Sequence, residues 1–196
     1  MKRRAKGTLK VIAGTLKGRT LKMVGSERTR STKAIVKESF FNTLALEISG
    51  ALFIEAFAGT GSVGIQALSQ GAKRAIFLEH SKEAHKILLE NVKRFGLESK
   101  SEMFLGDSFE LLPALIPRFR GERAILYLDP PFVIREGQSE IYERLFALLE
   151  AINLPSGIVV LEHMSGAKIP EIIGNLTRFK ERKFGKTTLS YFAPRS

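Results

Sequence analysis

The most constraining feature of this chain is a glycine-rich segment that separates an apolar run from a helical pattern. The apolar run covers residues 51–57, and a Gly-x-Gly-x-x-Gly segment at 59–64 follows it directly. Residues 62–70 then suit a helix that ends at Gly71. A buried strand followed by a glycine turn and a helix begins a βα unit, so we predict a parallel sheet and an α/β fold.

Apolar runs and helical patterns alternate along the rest of the chain. We predict strands at 75–79, 102–105, 124–129 and 157–162, and helices at 32–46, 81–96 and 140–151. A further helix is expected to start at residue 108 and to end near Pro113 or Pro117. Ser31 or Thr32 is expected to cap the first of these helices, which has Ile35 on its buried side. Ser81 and Ser108 are each expected to cap a later helix, and Gly96 is expected to end the helix that Ser81 caps. The segment 178–192 predicts a C-terminal antiparallel hairpin. We therefore predict a mostly parallel, doubly wound sheet that ends in this hairpin.

The positive charge of the chain is concentrated in its first quarter. Residues 1–50 hold 12 lysine and arginine residues against three glutamates, which gives +9 of the net charge of +11. Clustered cations favour a polyanionic partner because they release counterions from a phosphate backbone, and a solubilising tail is the alternative. The alternation around Leu9 and Val11 predicts a small β-hairpin in this segment. We therefore divide the chain into a basic extension, 1–28, and a domain, 29–196.

The composition excludes several kinds of site. The chain has no cysteine, so disulfides, thiolate metal sites and cysteine nucleophiles are ruled out. Its three histidines lack metal-ligand spacing, and no metal site is predicted. The basic start lacks the apolar stretch of a secretory signal, and no run has the length of a membrane span. We expect a cytoplasmic monomer without membrane contact.

In a parallel sheet of this kind, the ligand lies beyond the carboxyl ends of the strands. The glycine segment at 59–64 follows one strand, and Glu79 ends the next strand 20 residues after Gly59. Glycines let a ligand approach the backbone, the helix N-terminus offers unpaired N–H groups, and a carboxylate can accept both hydroxyls of a ribose. This spacing fits a nicotinamide cofactor and S-adenosylmethionine equally, since both contain an adenosine ribose.

Two further acids stand close to the glycine segment or at a strand end. Glu55 lies four residues before Gly59, where a methyltransferase usually has an acid that orders the glycine loop. Asp107 follows the strand at 102–105 and is placed to contact an adenine edge. The predicted cofactor-binding residues are Glu55, Ala58, Gly59, Thr60, Gly61, Glu79, Asp107 and Ser108.

The segment Asp129-Pro130-Pro131-Phe132 follows the fourth predicted strand of the sheet. The prolines fix the backbone and lack N–H groups, so the Asp129 carboxylate and the Pro130 carbonyl are acceptors without a competing internal donor. Such a pair suits an exocyclic amine, whose two N–H bonds can point at both oxygens and so expose the nitrogen lone pair. The Phe132 ring offers a stacking face for a purine. We predict these four residues as the catalytic group.

With these motifs, the chain resembles the class I S-adenosylmethionine-dependent methyltransferases that modify the amino groups of bases. It is most similar to the bacterial family that methylates guanine N2 in small-subunit (16S) ribosomal RNA. The segments that share this resemblance are 11–21, 30–44, 53–72, 77–84, 106–109, 127–132 and 184–192. The glycine loop and the segment at 129–132 occur in many methyltransferases. The more family-specific residues are Gly14, Lys17, Gly18, Arg19, Lys37, Glu38, Phe41 and Asn42.

The resemblance implies a Rossmann-like class I methyltransferase that transfers a methyl group from S-adenosylmethionine to the guanine amine. It implies ribosomal RNA as the partner, within the assembled small subunit. Catalysis needs no metal, since alignment of the amine, the methyl carbon and the sulfur is sufficient. We expect the basic extension to bind RNA through Lys10, Lys17, Arg19, Lys22 and Arg30.

The residues alone leave three alternatives. The first is methylation of adenine N6 or cytosine N4 in a nucleic acid, since those enzymes also hold an amine with an acid or amide before two prolines. The second is an NAD-dependent oxidoreductase, which leaves the basic extension and residues 129–132 without a role. The third is an RNA-binding assembly factor without turnover, which leaves the predicted pocket without a use.

Overall fold

The computed structural model describes residues 9–24, 31–119, 121–131, 138–152, 154 and 156–195. Within this part of the chain, eight strands form one sheet and two short strands form a separate hairpin. The hairpin strands are β1 (Leu9–Lys10) and β2 (Thr20–Leu21). The sheet contains β3 (Leu52–Ala56), β4 (Arg74–Glu79), β5 (Ser101–Leu105), β6 (Ala124–Leu128), β7 (Gly157–Met164), β8 (Ile172–Ile173), β9 (Leu176–Phe184) and β10 (Thr187–Pro194).

In the described part of the chain, two helices precede the first strand of the sheet, and four helices connect its parallel strands. They are α1 (Ser31–Thr43), α2 (Ala45–Ile48), α3 (Ser62–Ser69), α4 (Lys82–Phe95), α5 (Ser108–Leu115) and α6 (Gln138–Ile152). Two short 3-10 turns, Glu98–Lys100 and Ile116–Phe119, follow α4 and α5. No helix in the described ranges combines the length and the apolar character that crossing a membrane requires.

The strands are arranged in the order β5-β4-β3-β6-β7-β10-β9-β8. Strands β3 to β7 pair in parallel, and β10 lies antiparallel to both β7 and β9. The chain order therefore reverses between β3 and β6, which are neighbours in the centre of the sheet. The predicted α/β fold, with its parallel sheet, its C-terminal antiparallel hairpin and its small N-terminal hairpin, is confirmed.

Two apolar layers cover the faces of the sheet. Alternate residues of a strand point to opposite faces, and in β3 Phe53 belongs to one layer while Leu52 and Ile54 belong to the other. The first layer contains side chains of the N-terminal hairpin, α1, α3 and α4. The second contains side chains of α5 and α6. The hairpin thus shares its core with the domain, because its apolar residues Val11 and Leu16 are buried against the first layer.

Several local predictions agree with the structure, while others are wrong. Ser81 caps α4 by accepting a hydrogen bond from the Ala84 N–H at 3.3 Å, and Gly96 ends the helix in the left-handed region with φ 67°. Ser108 is not the N-cap of α5, however, because Asp107 fills that position and accepts from the Phe109 N–H at 2.9 Å. From one residue earlier, the Asp107 carboxylate reaches a free N–H group of the first turn.

The first helix also differs from its prediction. It begins at Ser31 and ends at Thr43, with the separate short helix α2 following, so neither Ser31 nor Thr32 precedes it as a cap. Ile35 is 54% exposed and does not lie on the buried side. Lys37 is buried there instead, beside Val36 and Phe40. The other apolar residues predicted for this side, Val36, Phe40 and Leu44, are buried as expected, so the prediction is wrong for Ile35 alone. Apolar periodicity also does not indicate that a lysine is buried.

Candidate active site

A cavity of about 1270 Å³ opens at the carboxyl ends of β3, β4, β5 and β6. It lies where the strand order reverses, which is where ligands bind in open α/β sheets. The sequence-predicted residues that line it are Glu55, Ala58, Gly59, Thr60, Glu79, Asp107, Ser108, Asp129, Pro130 and Pro131. Gly61 is not among its lining residues, and a Cβ atom there would lie 2.4 Å from the Leu88 side chain in the core. Phe132 and Arg30 lie outside the described residues.

Glu55 holds the glycine turn in place through hydrogen bonds. This buried carboxylate accepts hydrogen bonds from the Val63 N–H at 3.2 Å and the Gly64 N–H at 2.8 Å, at the start of α3. Burial raises the pKa of Glu55 to about 8, although both N–H groups favour the ionised form. Gly64 has to be a glycine, because a Cβ atom would lie 2.4 Å from the Phe77 ring. The acid in β3 therefore orders the turn, as the sequence predicted for this position.

Glu79 connects the end of β4 to the same turn. One of its carboxylate oxygens accepts from the Gly59 N–H at 2.6 Å, and the other accepts from the Ser81 N–H at 2.7 Å. Just before the turn, Phe57 has a left-handed backbone with φ 65°, which is uncommon for a residue with a bulky side chain. Backbone strain of this kind is typical of binding sites, where the surrounding structure maintains it.

Asp107 and Ser108 lie at the end of β5, on another wall of the cavity. Asp107 caps α5, and its second carboxylate oxygen is 3.5 Å from the Arg144 guanidinium. Ser108 is buried, and its hydroxyl accepts a hydrogen bond from the Phe57 N–H at 3.4 Å. Ser108 therefore supports the strained residue that precedes the glycine turn.

Asp129 lies directly after β6, at the edge of the cavity. Its side chain is 27% exposed, and its carboxylate is 3.8 Å from the Lys33 ammonium of α1. Pro130 is buried and Pro131 is exposed. Asp129 and Pro130 are the acceptors that the sequence predicts for an amine. They line the same cavity as the glycine turn and Glu79.

The lining residues that the sequence did not identify as site residues include Lys33, Lys37, Tyr127 and Glu162. Glu162 of β7 is buried, and the buried Tyr127 hydroxyl donates a hydrogen bond to it. Burial lowers the pKa of Lys37 to about 8, and its ammonium donates to the Lys10 carbonyl at 3.4 Å. For Glu162, the sequence signal is a charged residue near the end of an otherwise apolar strand, which indicates a site residue. Lys37 was noted only as part of a family-specific segment.

The predicted RNA-binding lysines and arginine lie on the N-terminal hairpin and its flanks. Lys10 and Lys17 are exposed, whereas Lys22 forms an ion pair with Glu90 at 2.8 Å. The Arg19 guanidinium lies 4.5 Å from the centroid of the Phe95 ring. None of these four cations lines the cavity.

Neighbouring apolar residues of this segment do line the cavity, namely Leu9, Met23 and Val24. Asn91 of α4 fixes the segment there, because its amide accepts from the Lys22 N–H at 2.9 Å and donates to the Lys22 carbonyl at 3.0 Å. The same amide donates to the Thr60 carbonyl in the glycine turn at 3.0 Å. The hairpin segment therefore forms part of the wall beside the glycine turn.

Comparisons with known proteins identify relatives over almost the whole chain. The family model described as Conserved hypothetical protein 95 matches residues 9–193. YlbH of Bacillus subtilis, a candidate rRNA methyltransferase, is 31% identical over 95% of this chain and 100% of the relative. The ribosomal RNA small subunit methyltransferase D of Haemophilus influenzae is 36% identical over 65% of this chain and 66% of the relative.

Solved structures share the fold. The protein yhhF from Escherichia coli, a candidate methyltransferase, is 24% identical with a TM-score of 0.77, over 96% of this chain and 99% of the other. An RNA methyltransferase from Salinibacter ruber, solved in complex with S-adenosyl-L-homocysteine, is 16% identical with a TM-score of 0.58, over 86% of this chain and 95% of the other. At these identities the two structures show the fold alone. The family model matches almost the whole chain, and so does the Bacillus relative. This chain therefore belongs to the family described as Conserved hypothetical protein 95, which is the bacterial methyltransferase family that its motifs resemble.

Proposed function

We propose that this chain transfers a methyl group from S-adenosylmethionine to the N2 amine of a guanine in the RNA of the small ribosomal subunit. Its family membership and the name of its Haemophilus relative, ribosomal RNA small subunit methyltransferase D, support ribosomal RNA as the substrate. The assembled subunit is the proposed form of that substrate. The observation on which the proposal rests is that Asp129 and Pro130 line the same cavity as the glycine turn and Glu79.

The residues of the cavity fit S-adenosylmethionine. Each Glu79 oxygen accepts one backbone N–H, and a carboxylate has about four acceptor positions, so positions remain for the ribose hydroxyls. Asp107 and Ser108 would contact the adenine, and residues 58–61 would surround the methionine part. The cavity volume of about 1270 Å³ exceeds the roughly 300–1,000 Å³ of common small-molecule sites, which leaves space for a base as well. When bound, the cofactor supplies a methyl group on a positively charged sulfur.

Asp129 and Pro130 would hold the reacting amine. Two acceptors, one on a carboxylate and one on a carbonyl, can take the two N–H bonds of the amine and direct its lone pair into the cavity. Most of the catalytic effect would then come from alignment, which can contribute several orders of magnitude without a covalent intermediate. Lys10 and Lys17 are exposed on the hairpin and would contact RNA phosphates.

The experiment that tests this proposal identifies the methylated nucleoside. The purified protein is incubated with methyl-labelled S-adenosylmethionine and transcribed 16S ribosomal RNA, either free or assembled into small subunits. Digestion and mass spectrometry should show N2-methylguanosine, with assembled subunits as the better substrate. The same acceptors would hold the amine of adenine or cytosine, so N6-methyladenosine or N4-methylcytidine as the product would contradict the proposal.

Two variants separate the amine site from the cofactor site. Asp129→Ala should reduce methyl transfer by about 10²-fold or more, because the amine loses its charged acceptor, while the affinity for S-adenosylhomocysteine is retained. Asp107→Ala should instead weaken S-adenosylhomocysteine binding, measured by calorimetric titration. A near wild-type rate for Asp129→Ala would remove Asp129 from the mechanism.

A further inference from the structure

Asp129 and Glu162 are neighbours on adjacent parallel strands. Leu128 of β6 pairs with Leu161 of β7, so the next residue of each strand, Asp129 and Glu162, follows at the same height. Leu128 and Leu161 belong to the second apolar layer, whereas Tyr127 and Val160 belong to the first. Because side chains alternate between the faces of a sheet, Asp129 and Glu162 point toward the face that α1 covers.

Glu162 is the more deeply buried of the two carboxylates. Only 4% of its surface is exposed, compared with 27% of the Asp129 side chain. The Tyr127 hydroxyl of the adjacent strand β6 donates a hydrogen bond to Glu162. Burial raises the pKa of Glu162, and the Tyr127 bond opposes this change because it favours the ionised form.

Charged and titratable groups of five elements surround Asp129. They are Lys33 and Lys37 of α1, Glu55 of β3, Tyr127 of β6, Glu162 of β7 and Tyr142 of α6. Burial and the Glu162 carboxylate raise the pKa of Asp129 well above the usual range for aspartate. Lys33 acts in the opposite direction, but its side chain is 68% exposed and 3.8 Å away, so solvent weakens its effect. Because the two carboxylates are like charges on neighbouring strands, ionisation of one disfavours ionisation of the other.

We propose that Glu162 is a positioning residue for methyl transfer: held by Tyr127 beside Asp129, its carboxylate makes Asp129 the acceptor of the proton that the methylated amine releases. This inference rests on the proposed function. The amine nitrogen forms its bond to the methyl carbon with its own lone pair, and the pair of the broken carbon–sulfur bond stays on sulfur. The nitrogen then has one proton too many, which passes to the Asp129 carboxylate and later to water. Glu162 contacts neither reactant.

The sign of the pH dependence follows from this arrangement. Below its pKa, Asp129 is protonated and cannot accept a proton, so the rate should rise with pH through the pKa of Asp129. Glu162→Gln keeps the size of the side chain and an acceptor for Tyr127, but it removes the neighbouring charge. The pKa of Asp129 should therefore fall, and the rising limb of the rate profile should move to lower pH.

Carbon-13 NMR titration of the Asp129 carboxyl group in the full-length protein without substrate tests the electrostatic part directly. The wild-type midpoint should lie well above the ordinary aspartate value of about 3.9. In Glu162→Gln it should fall by about 1 pH unit or more, whereas Glu98→Gln, at an exposed glutamate, should leave it unchanged. The rising limb of kcat/KM should move by the same amount, with the affinity for S-adenosylhomocysteine unchanged.

Three results would overturn the proposal: an ordinary midpoint for Asp129 in the wild-type protein, equal midpoints in wild type and Glu162→Gln, or superimposable pH–rate profiles. If Glu162→Gln does not fold, Tyr127→Phe replaces it. That variant lacks the bond that keeps Glu162 ionised, so the Asp129 midpoint should again fall. Failure of the proposed function is distinguishable, because the NMR midpoints do not depend on methyl transfer or on RNA.

Discussion

Glu79 holds the glycine turn in place, in addition to the ribose contact that we propose for it. The sequence assigns it to a ribose because it ends a strand 20 residues after Gly59. In the structure, its oxygens already accept the Gly59 and Ser81 N–H groups, so it also fixes the glycine turn and the start of α4. Charge-assisted bonds to backbone N–H groups are short and directional, which orients the remaining acceptor positions toward the cavity.

Glu79→Ala should therefore weaken S-adenosylhomocysteine binding by about 1.5–3 kcal/mol, which is roughly 10-fold to 150-fold. The variant loses the bonds to the ribose and the restraint on Gly59 together. Calorimetric titration measures the affinity. Glu83→Ala removes a carboxylate from an exposed position in the first turn of the same helix and serves as the control. An affinity equal to wild type in Glu79→Ala would exclude Glu79 from the cofactor site.

The strand-end acids could be predicted because the carboxyl ends of parallel strands meet at one edge of the sheet. A motif search along the chain therefore places Glu79, Asp107 and Asp129 near each other without coordinates. Lys37 and Glu162 could not be assigned in this way, because their place in the site depends on how α1 packs on the sheet. Helical periodicity favours Ile35 for the buried side, and only the packed structure shows that a lysine is buried there.

At the scale of elements, the N-terminal hairpin depends on an unusually close approach to α3. Gly14 has a φ of 82°, and a Cβ atom there would lie 1.9 Å from the Ser69 carbonyl oxygen. The same serine receives hydrogen bonds from the next two residues, the Thr15 N–H to its carbonyl and the Leu16 N–H to its hydroxyl, both at 2.9 Å. The turn must therefore lie directly on the helix.

Gly14→Ala should destabilise the protein more than Gly18→Ala does. Both glycines have a φ of 82°, so both variants lose about 1–2 kcal/mol from backbone strain. A Cβ atom at Gly18 meets nothing within 4 Å, whereas at Gly14 it displaces the two bonds to Ser69 and adds about 1–3 kcal/mol. Urea denaturation measures both free energies of unfolding. Equal losses would show that this close approach does not hold the hairpin in place.

The order of the elements could be predicted from the sequence, but their ends were less certain. The glycine turn, the Ser81 cap and Gly96 are local signals, and the structure has them as predicted. For α5 the sequence predicts an end near Pro113 or Pro117, and the helix continues through Pro113 to Leu115. The proline removes one backbone donor, and burial of Leu112 and Leu115 against the sheet compensates for this loss. Tertiary packing of this kind is not visible in a local pattern.

At the scale of the whole molecule, both carboxylates and cations line the cavity, and further exposed cations lie on the N-terminal hairpin beside it. Within the described residues, Glu55, Asp129 and Glu162 are grouped on one side of the cavity. The basic hairpin contributes Leu9 and Met23 to the wall, so it is not separate from the cofactor region as its charge alone would suggest. Its RNA contacts should therefore come from its outward-facing lysines, because Arg19 and Lys22 are engaged with α4 and its end.

Replacing Lys10 and Lys17 together by glutamine should weaken binding of ribosomal RNA and reduce its dependence on salt. Each lost phosphate contact lowers the slope of log affinity against log salt concentration by about 0.7–0.9, so the double variant should lose about 1.5. S-adenosylhomocysteine affinity should stay at the wild-type value, because neither lysine lines the cavity. The control is the double variant Lys73→Gln and Lys100→Gln, which removes two exposed charges just before β4 and β5. RNA affinity is measured over a salt series for all three proteins. If the plots of log affinity against log salt concentration coincide for wild type and the Lys10/Lys17 variant, the hairpin lysines do not contact phosphates. The exposed lysines of β9 and its turn, Lys183 and Lys186, would then be the next candidates for RNA contacts.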